Sequence, residues 1–357
     1  MEHFIDNFKH KLGMNCLTTS LRDILHFNGY DYNEDFCLGL SGAFSFWYSK
    51  NDNFIQATGL GNNIFEEAAA VLKLQHQYLY FDDNEKAWDV ACQYINHNIP
   101  VILDVELAGY VREIDAMRDD SKVEKKMLSI FDTVNFRVGG HVTTLVGYDE
   151  KNAYLCENMF YKPVGVPIQA LKTARNPKDI QFVPPHNGMH VFFFPERLPS
   201  MEHVLKAAIT RVIHNMELCY LKPVYCYGGM TYECSGHKGI VLFMNDVEQI
   251  MKDKTEQGYT QVLALVQILN RWGGNEVNRN AYSRFLRQAS QMLNNNSLLD
   301  ASDCYQDSSK LWKQFLRELD KNVIEYEKAE YQFISEFKKQ ILEKETLAVS
   351  HLKKAVS

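Results

Sequence analysis

Apolar and polar residues along this chain follow two rhythms, one of about 3.6 residues and one of two, and the first is clearest near the N-terminus. In CLTTSLRDILHFNG, Leu17, Leu21, Ile24 and Leu25 recur at i, i+4, i+7 and i+8, which predicts a helix with one apolar stripe. Asn15 is placed to cap it, and Asn28-Gly29 to end it, because glycine accepts the left-handed backbone that closes helices. In GLSGAFSFWYS, Phe44, Phe46, Trp47 and Tyr48 alternate like a strand end or a pocket wall. Helices are predicted over 64–74 and 88–96, and IPVILDVEL reads as a buried strand. A charged connector, 112–126, precedes VGGHVTTLVGYDEKNAYLCEN, which predicts a β-hairpin turning at Glu150-Lys151. A simple hairpin of that register sets His141 opposite Phe160 and Asn158 diagonally on the same face, within about 7–8 Å. Glu157 then points to the other face unless a bulge intervenes.

A further short helix (168–174) and a proline-bounded strand in PPHNGMHVFFFP lead to a change of pattern near residue 200. AITRVIHNMEL, VLALVQILNRW, YSRFLRQASQML and SKLWKQFLREL all show helical spacing, whereas 230–243 reads as a loop with a short strand. Residues 322–354 predict one charged helix whose stripe of Ile324, Tyr331, Ile334 and Phe337 serves either its own domain or a second chain. The expectation is an α+β domain over 1–200 and a mainly helical domain over 201–357.

Composition narrows the classes. The chain has 357 residues, 46% hydrophobic and 23% charged, with a net charge of −7 and no basic arm, so nucleic acid is not the expected partner. MEHFIDNFKH lacks the pattern of a signal peptide, and no apolar run approaches the roughly 20 residues that span a bilayer. A cytoplasmic protein without membrane contact is expected. Eight cysteines without CxxC pairs indicate neither a metal site nor a disulfide framework, and reduced thiols are expected.

Chemistry is suggested by position. Cys16 falls at a helix N-terminus, where unpaired N–H groups and the helix dipole favour a thiolate, the makings of a nucleophile with part of an oxyanion hole. His141 opens a strand, and Glu157 or Asn158 lies near enough to orient its ring. Asp104, Glu106 and Tyr110, around the end of the buried strand, are candidates for meeting a cationic substrate, and Phe44, Trp47 and Tyr48 for contacting an acyl chain. The same residues also admit a peptidase or amidase, or a binding protein without catalysis.

The order Cys, His, then carboxylate or amide is that of papain-like cysteine enzymes. With NCLTTSLRDILHFNGYD, GLSGAFSFWY, IPVILDVELAGY, GGHVTTLVGYDEKNAYLCEN and LKTAR, the chain resembles the family of butirosin biosynthesis protein H. NRNAYSRFLRQASQML and LWKQFLREL are similar to that family's second domain. The resemblance implies a papain-like or C39-peptidase-like first domain and an acyltransferase. Its namesake moves an aminoacyl group from an acyl carrier protein thioester to an amine of an aminoglycoside. The acyl group would arrive on the carrier's phosphopantetheine arm, and the enzyme would need no cofactor of its own. Carried over by position, Cys16 is the nucleophile and His141 the base. Glu157 stands where the family usually has Asp, while the simple hairpin register favours Asn158, so both stay open. Papain-like enzymes place an oxyanion-hole Gln six residues before the Cys. That position is His10 here, and Asn15 or the backbone alone are the alternatives. The long terminal helix also allows a homodimer.

Overall fold

The β-branched and aromatic runs read from the sequence pair into two antiparallel sheets in the computed structural model of the chain. All residues are described except 1, 52–53, 62–63, 107–139, 179–183, 218–221, 227–228, 272–274 and 325–329. Packing divides the chain into two compact units. One comprises Met1–Glu34, Leu74–Glu196 and Cys226–Gly229; the other comprises Asp35–Lys73, Arg197–Tyr225 and Met230–Ser357. Where the sequence suggested one boundary near 200, the chain enters the second unit early, because the hairpin of β2 (Phe44–Asn51) and β3 (Phe54–Leu60) pairs with late strands.

The first unit holds β1 (His3–Phe4), β4 (Gln75–Leu79), β5 (Val101–Val105), β6 (His141–Tyr148), β7 (Asn152–Cys156), β8 (Val164–Pro167) and β9 (Met189–Phe193). Their order is β4-β9-β5-β6-β7-β8, with β1 also paired to β6. Val101, Leu103, Val105, Leu145, Leu155 and Val191 form the apolar face of this sheet. Trp88, Ala91 and Ile95 of α4 (Asn84–Asn96) and Leu171 and Ala174 of α5 (Ile168–Arg175) cover it. α1 (Cys16–Phe27) packs on β6.

The second unit is built on the sheet β10 (Lys222–Cys226), β11 (Gly229–Ser235), β2 and β3. Around it lie α3 (Ile64–Leu72), α6 (Met201–Glu217), α7 (Gly236–Asp253), α8 (Glu256–Arg271), α9 (Arg279–Leu293), α10 (Asn296–Ile324) and α11 (Phe333–Val356); α2 (Glu34–Leu40) opens this part of the chain. Two sequence expectations change. Residues 236–243 are helical, and the C-terminal charged segment is two helices, α10 and α11. Ile334 of the expected stripe is fully buried in the unit's own core, with Tyr331 and Phe337 packed beside it. Cys234 is disulfide-bonded, against the expectation of reduced thiols throughout, whereas Cys16, Cys37, Cys92, Cys156 and Cys304 are free. Among the described residues no helix is long and apolar enough to cross a membrane.

Candidate active site

Cys16 is the first residue of α1, and Asn15 caps that helix: its Oδ1 accepts the N–H groups of Leu17 (2.9 Å) and Thr18 (3.5 Å). The loop before the cap is held by Glu34, whose carboxylate accepts the N–H of Met14 and Asn15 and the hydroxyls of Thr18 and Thr19. The N–H groups of Met14, Asn15, Leu17 and Thr18 are thus engaged, and Thr19 donates to the Asn15 carbonyl. Cys16 is at the first position of the helix, where its N–H has no intrahelical acceptor and points out beside the sulfur. Gly13 is required here, because a Cβ on it would fall 1.8 Å from Thr19 Oγ1.

His141 starts β6 directly after Gly140, whose φ of +83° suits glycine and turns the chain into the strand. The ring is 7% exposed, and its Nε2 lies 3.0 Å from Glu157 Oε2. That leaves Nδ1 as the nitrogen for the Cys16 sulfur, which is within hydrogen-bonding reach of the ring. Burial opposes charge on His141, but the Glu157 carboxylate and the Cys16 sulfur outweigh it, and the pKa stands well above the usual histidine value. The three residues therefore form a chain of sulfur, imidazole and carboxylate whose central ring is favoured as the imidazolium.

The third member is Glu157 rather than Asn158 because the hairpin carries a bulge. β6 and β7 pair as Tyr148↔Ala153 and Gly147↔Tyr154, then shift so that Leu145 faces Leu155 and Thr144 faces Cys156. One extra residue on β6 moves the continuation by one position and turns Glu157 to the face of His141. Asn158 instead uses its carbonyl to accept the N–H of Gly13. Glu157 is 1% exposed, and its Oε1 has no partner among the described residues.

His10 does not stand as an oxyanion donor, because both ring nitrogens are committed elsewhere. Nδ1 lies 2.5 Å from Asp23 Oδ2, and Nε2 donates to the carbonyls of Glu157 (2.8 Å) and Phe160 (2.9 Å). Phe44, Trp47 and Tyr48 are no acyl-contacting wall either. They are buried on β2 in the second unit, where Phe44 stacks on Tyr282 and Tyr48 packs edge-on to Phe243 and donates to Asp246. Glu106 is 1% exposed just beyond β5, where its N–H donates to the Ala174 carbonyl, and Tyr110 lies outside the described residues. Sequence reading missed Glu34 and Asp23, two acids whose partners only the folded loop brings near.

Comparison with known proteins adds the family. The model for "Butirosin biosynthesis protein H, N-terminal" matches residues 15–114, and that for "Domain of unknown function (DUF4872)" matches residues 169–352. No curated protein matches. Among solved structures, a crystal structure described as a C39-like peptidase from Bacillus anthracis is 15% identical. It covers 55% of this chain and 100% of its own, with a TM-score of 0.35. With one family model spanning more than half of its length, the chain belongs to the DUF4872 family, and its residues 15–114, which include α1, match the family model for the N-terminal region of butirosin biosynthesis protein H.

Proposed function

We propose that this protein is a cysteine-dependent acyltransferase that takes an acyl group from a thioester of an acyl carrier protein, or of CoA, and delivers it to an amine. The observation that carries the proposal is the Cys16–His141–Glu157 chain at the N-terminus of α1, whose Cys16 lies in the stretch, residues 15–114, that matches the family model for the N-terminal region of butirosin biosynthesis protein H. The Cys16 thiolate attacks the thioester carbonyl, and the tetrahedral oxyanion is met by the Cys16 N–H and the amide of Asn15. Collapse expels the carrier's thiol, which leaves with the proton of the His141 imidazolium, and an acyl-Cys16 thioester remains. His141, now neutral, accepts a proton as the amine attacks. The amide forms, the C–S bond breaks, and the imidazolium–thiolate pair is restored. Glu157 keeps the imidazole oriented and its charge compensated throughout.

Intact-mass measurement after mixing with an acylated carrier protein tests this. A single acyl adduct on wild type, absent from Cys16→Ala and discharged by a polyamine or aminoglycoside to an amide, is expected. Discharge only to free acid with every amine tried would replace transferase by hydrolase, and no adduct from any thioester would end the proposal.

A further inference from the structure

The loop before Cys16, the helix it opens and the turn behind Glu157 meet at one buried side chain, His10, which is 2% exposed in its side chain and no part of the proton path. Its two nitrogens face acceptors on opposite sides. Nε2 points at two carbonyl oxygens, which only accept, so it carries a hydrogen. Nδ1 faces Asp23 Oδ2, while Asp23 Oδ1 already accepts Nε (2.9 Å) and Nη2 (2.7 Å) of Arg22. A carboxyl group with a guanidinium on one oxygen is a carboxylate, so Nδ1 carries a hydrogen as well. Arg22 extends the network into the loop by donating to the carbonyls of Leu12 (2.9 Å) and Lys11, and its Nη1 lies 3.9 Å from Glu34.

We propose that His10 is a positioning residue: an imidazolium at neutral pH that ties α1, through Asp23, to the turn carrying Glu157 and so fixes the separation of the nucleophile from the acid–base pair. This rests on the acyltransferase reading only in supposing that Cys16 and His141 work together. The charged groups around the strut are Asp23 and Arg22 from α1 and Glu34 beyond Arg22, and the neutral carbonyls of Glu157 and Phe160 face it as acceptors; the buried Cys156 thiol is held neutral by its burial and by Asp23 and Glu157. Burial alone would discharge His10, but Asp23 and the two carbonyls outweigh it and raise its pKa above 6.5. A group whose folded pKa is raised contributes fully below its unfolded value, and the contribution fades as pH climbs through the folded one. The strut is therefore lost on the alkaline side.

The test uses the full chain and the alkylation of Cys16 by iodoacetamide, which needs no acyl donor. His10→Ala, folded by circular dichroism, is expected to slow Cys16 alkylation about 10- to 100-fold at pH 7, the scale set by small misplacements in a catalytic array. The double change His10→Gln with Asp23→Asn puts an amide where both carbonyls can still be met and removes both charges. It is expected to recover most of the rate and to lose the part of the alkaline limb owed to His10. A folded His10→Ala labelled at the wild-type rate overturns the proposal. So does nitrogen NMR of the unaltered protein showing His10 with an unprotonated ring nitrogen at pH 7, a measurement that stands even where the alanine variant does not fold. Wild-type Cys16 reacting no faster than in His141→Ala would instead overturn the acyltransferase reading, while the NMR result on His10 still stands.

Discussion

At the scale of single residues, the Glu157 carboxylate is the group whose charge the site depends on. Among the described residues its Oε1 has no donor, so its negative charge is directed through Oε2 to His141. Glu157→Gln keeps the shape and removes the charge that helps hold His141 protonated. The His141 imidazolium exists below its folded pKa and is lost as pH rises through it, so removing the Glu157 charge should move the titration of the His141 ring, followed by NMR, to lower pH. Acyl transfer at neutral pH should fall about 100-fold or more. An unchanged pH profile in Glu157→Gln would show that the carboxylate only packs. Sequence alone could not choose between Glu157 and Asn158, because the choice turns on one bulged residue between Leu145 and Gly147, a non-local consequence of strand pairing. His10 was equally opaque: its partners lie 13 residues away at Asp23 and 147 and 150 residues away at Glu157 and Phe160.

At the scale of elements, α1 was legible because everything that defines it is local. The cap, the apolar stripe and the Asn28-Gly29 stop lie within one stretch of chain, and the structure uses Asn15 as N-cap and Asn28 as C-cap. Substitutions separate the cap that Asn15 provides from the oxyanion contact proposed for its amide. Asn15→Ala removes the cap oxygen and should cost about 1 kcal/mol, seen as a melting temperature lower by about 2–4 °C. Asn15→Ser keeps a cap oxygen but has no amide to offer an oxyanion. It should retain the wild-type melting temperature while acyl transfer drops about 100-fold, the usual effect of losing one such donor. Equal rates in wild type and Asn15→Ser would leave the Cys16 N–H as the working donor. At the start of β6, Gly140→Ala forces a side chain into φ +83° and should destabilise by about 1–2 kcal/mol, with His141 displaced along with the strand. α7 shows the opposite case. Gly236 and Gly239 interrupt the apolar spacing at its start, so the sequence reads as loop. Tertiary packing of Ile240, Phe243, Met244 and Val247 into the core overrides that local preference.

At the scale of the whole molecule, what periodicity cannot reveal is which distant charges end up together. In the second unit Arg279 and Glu345, 66 residues apart, are both 0% exposed and meet through two bonds of 2.8 Å. Glu345 also accepts from Ser308 (2.7 Å) and Trp312 (3.0 Å). Arg279 donates to the carbonyls of Ser45 and Val277 and lies over the rings of Phe44, Phe46 and Trp312. One pair thus joins β2, α9, α10 and α11, and the aromatic residues of 44–48 that looked like a pocket wall are part of its setting. Burial works against charge on Glu345, but Arg279 and the two neutral donors outweigh it, so its pKa is lowered. A carboxylate with a depressed pKa contributes stability above its unfolded value and loses it as pH falls through the folded one, so the contribution of this pair should persist below pH 4.5. Arg279→Met leaves a buried carboxylate without its counter-charge and should cost about 3–5 kcal/mol. Adding Glu345→Leu removes the stranded charge and should restore most of that loss, because the cost of the single change lies in the unpaired ion rather than in the absent bond. Urea unfolding of the wild type and the single and double variants decides it. Additive losses, with the double variant weaker than Arg279→Met, would mean that the pair contributes through its own bonds.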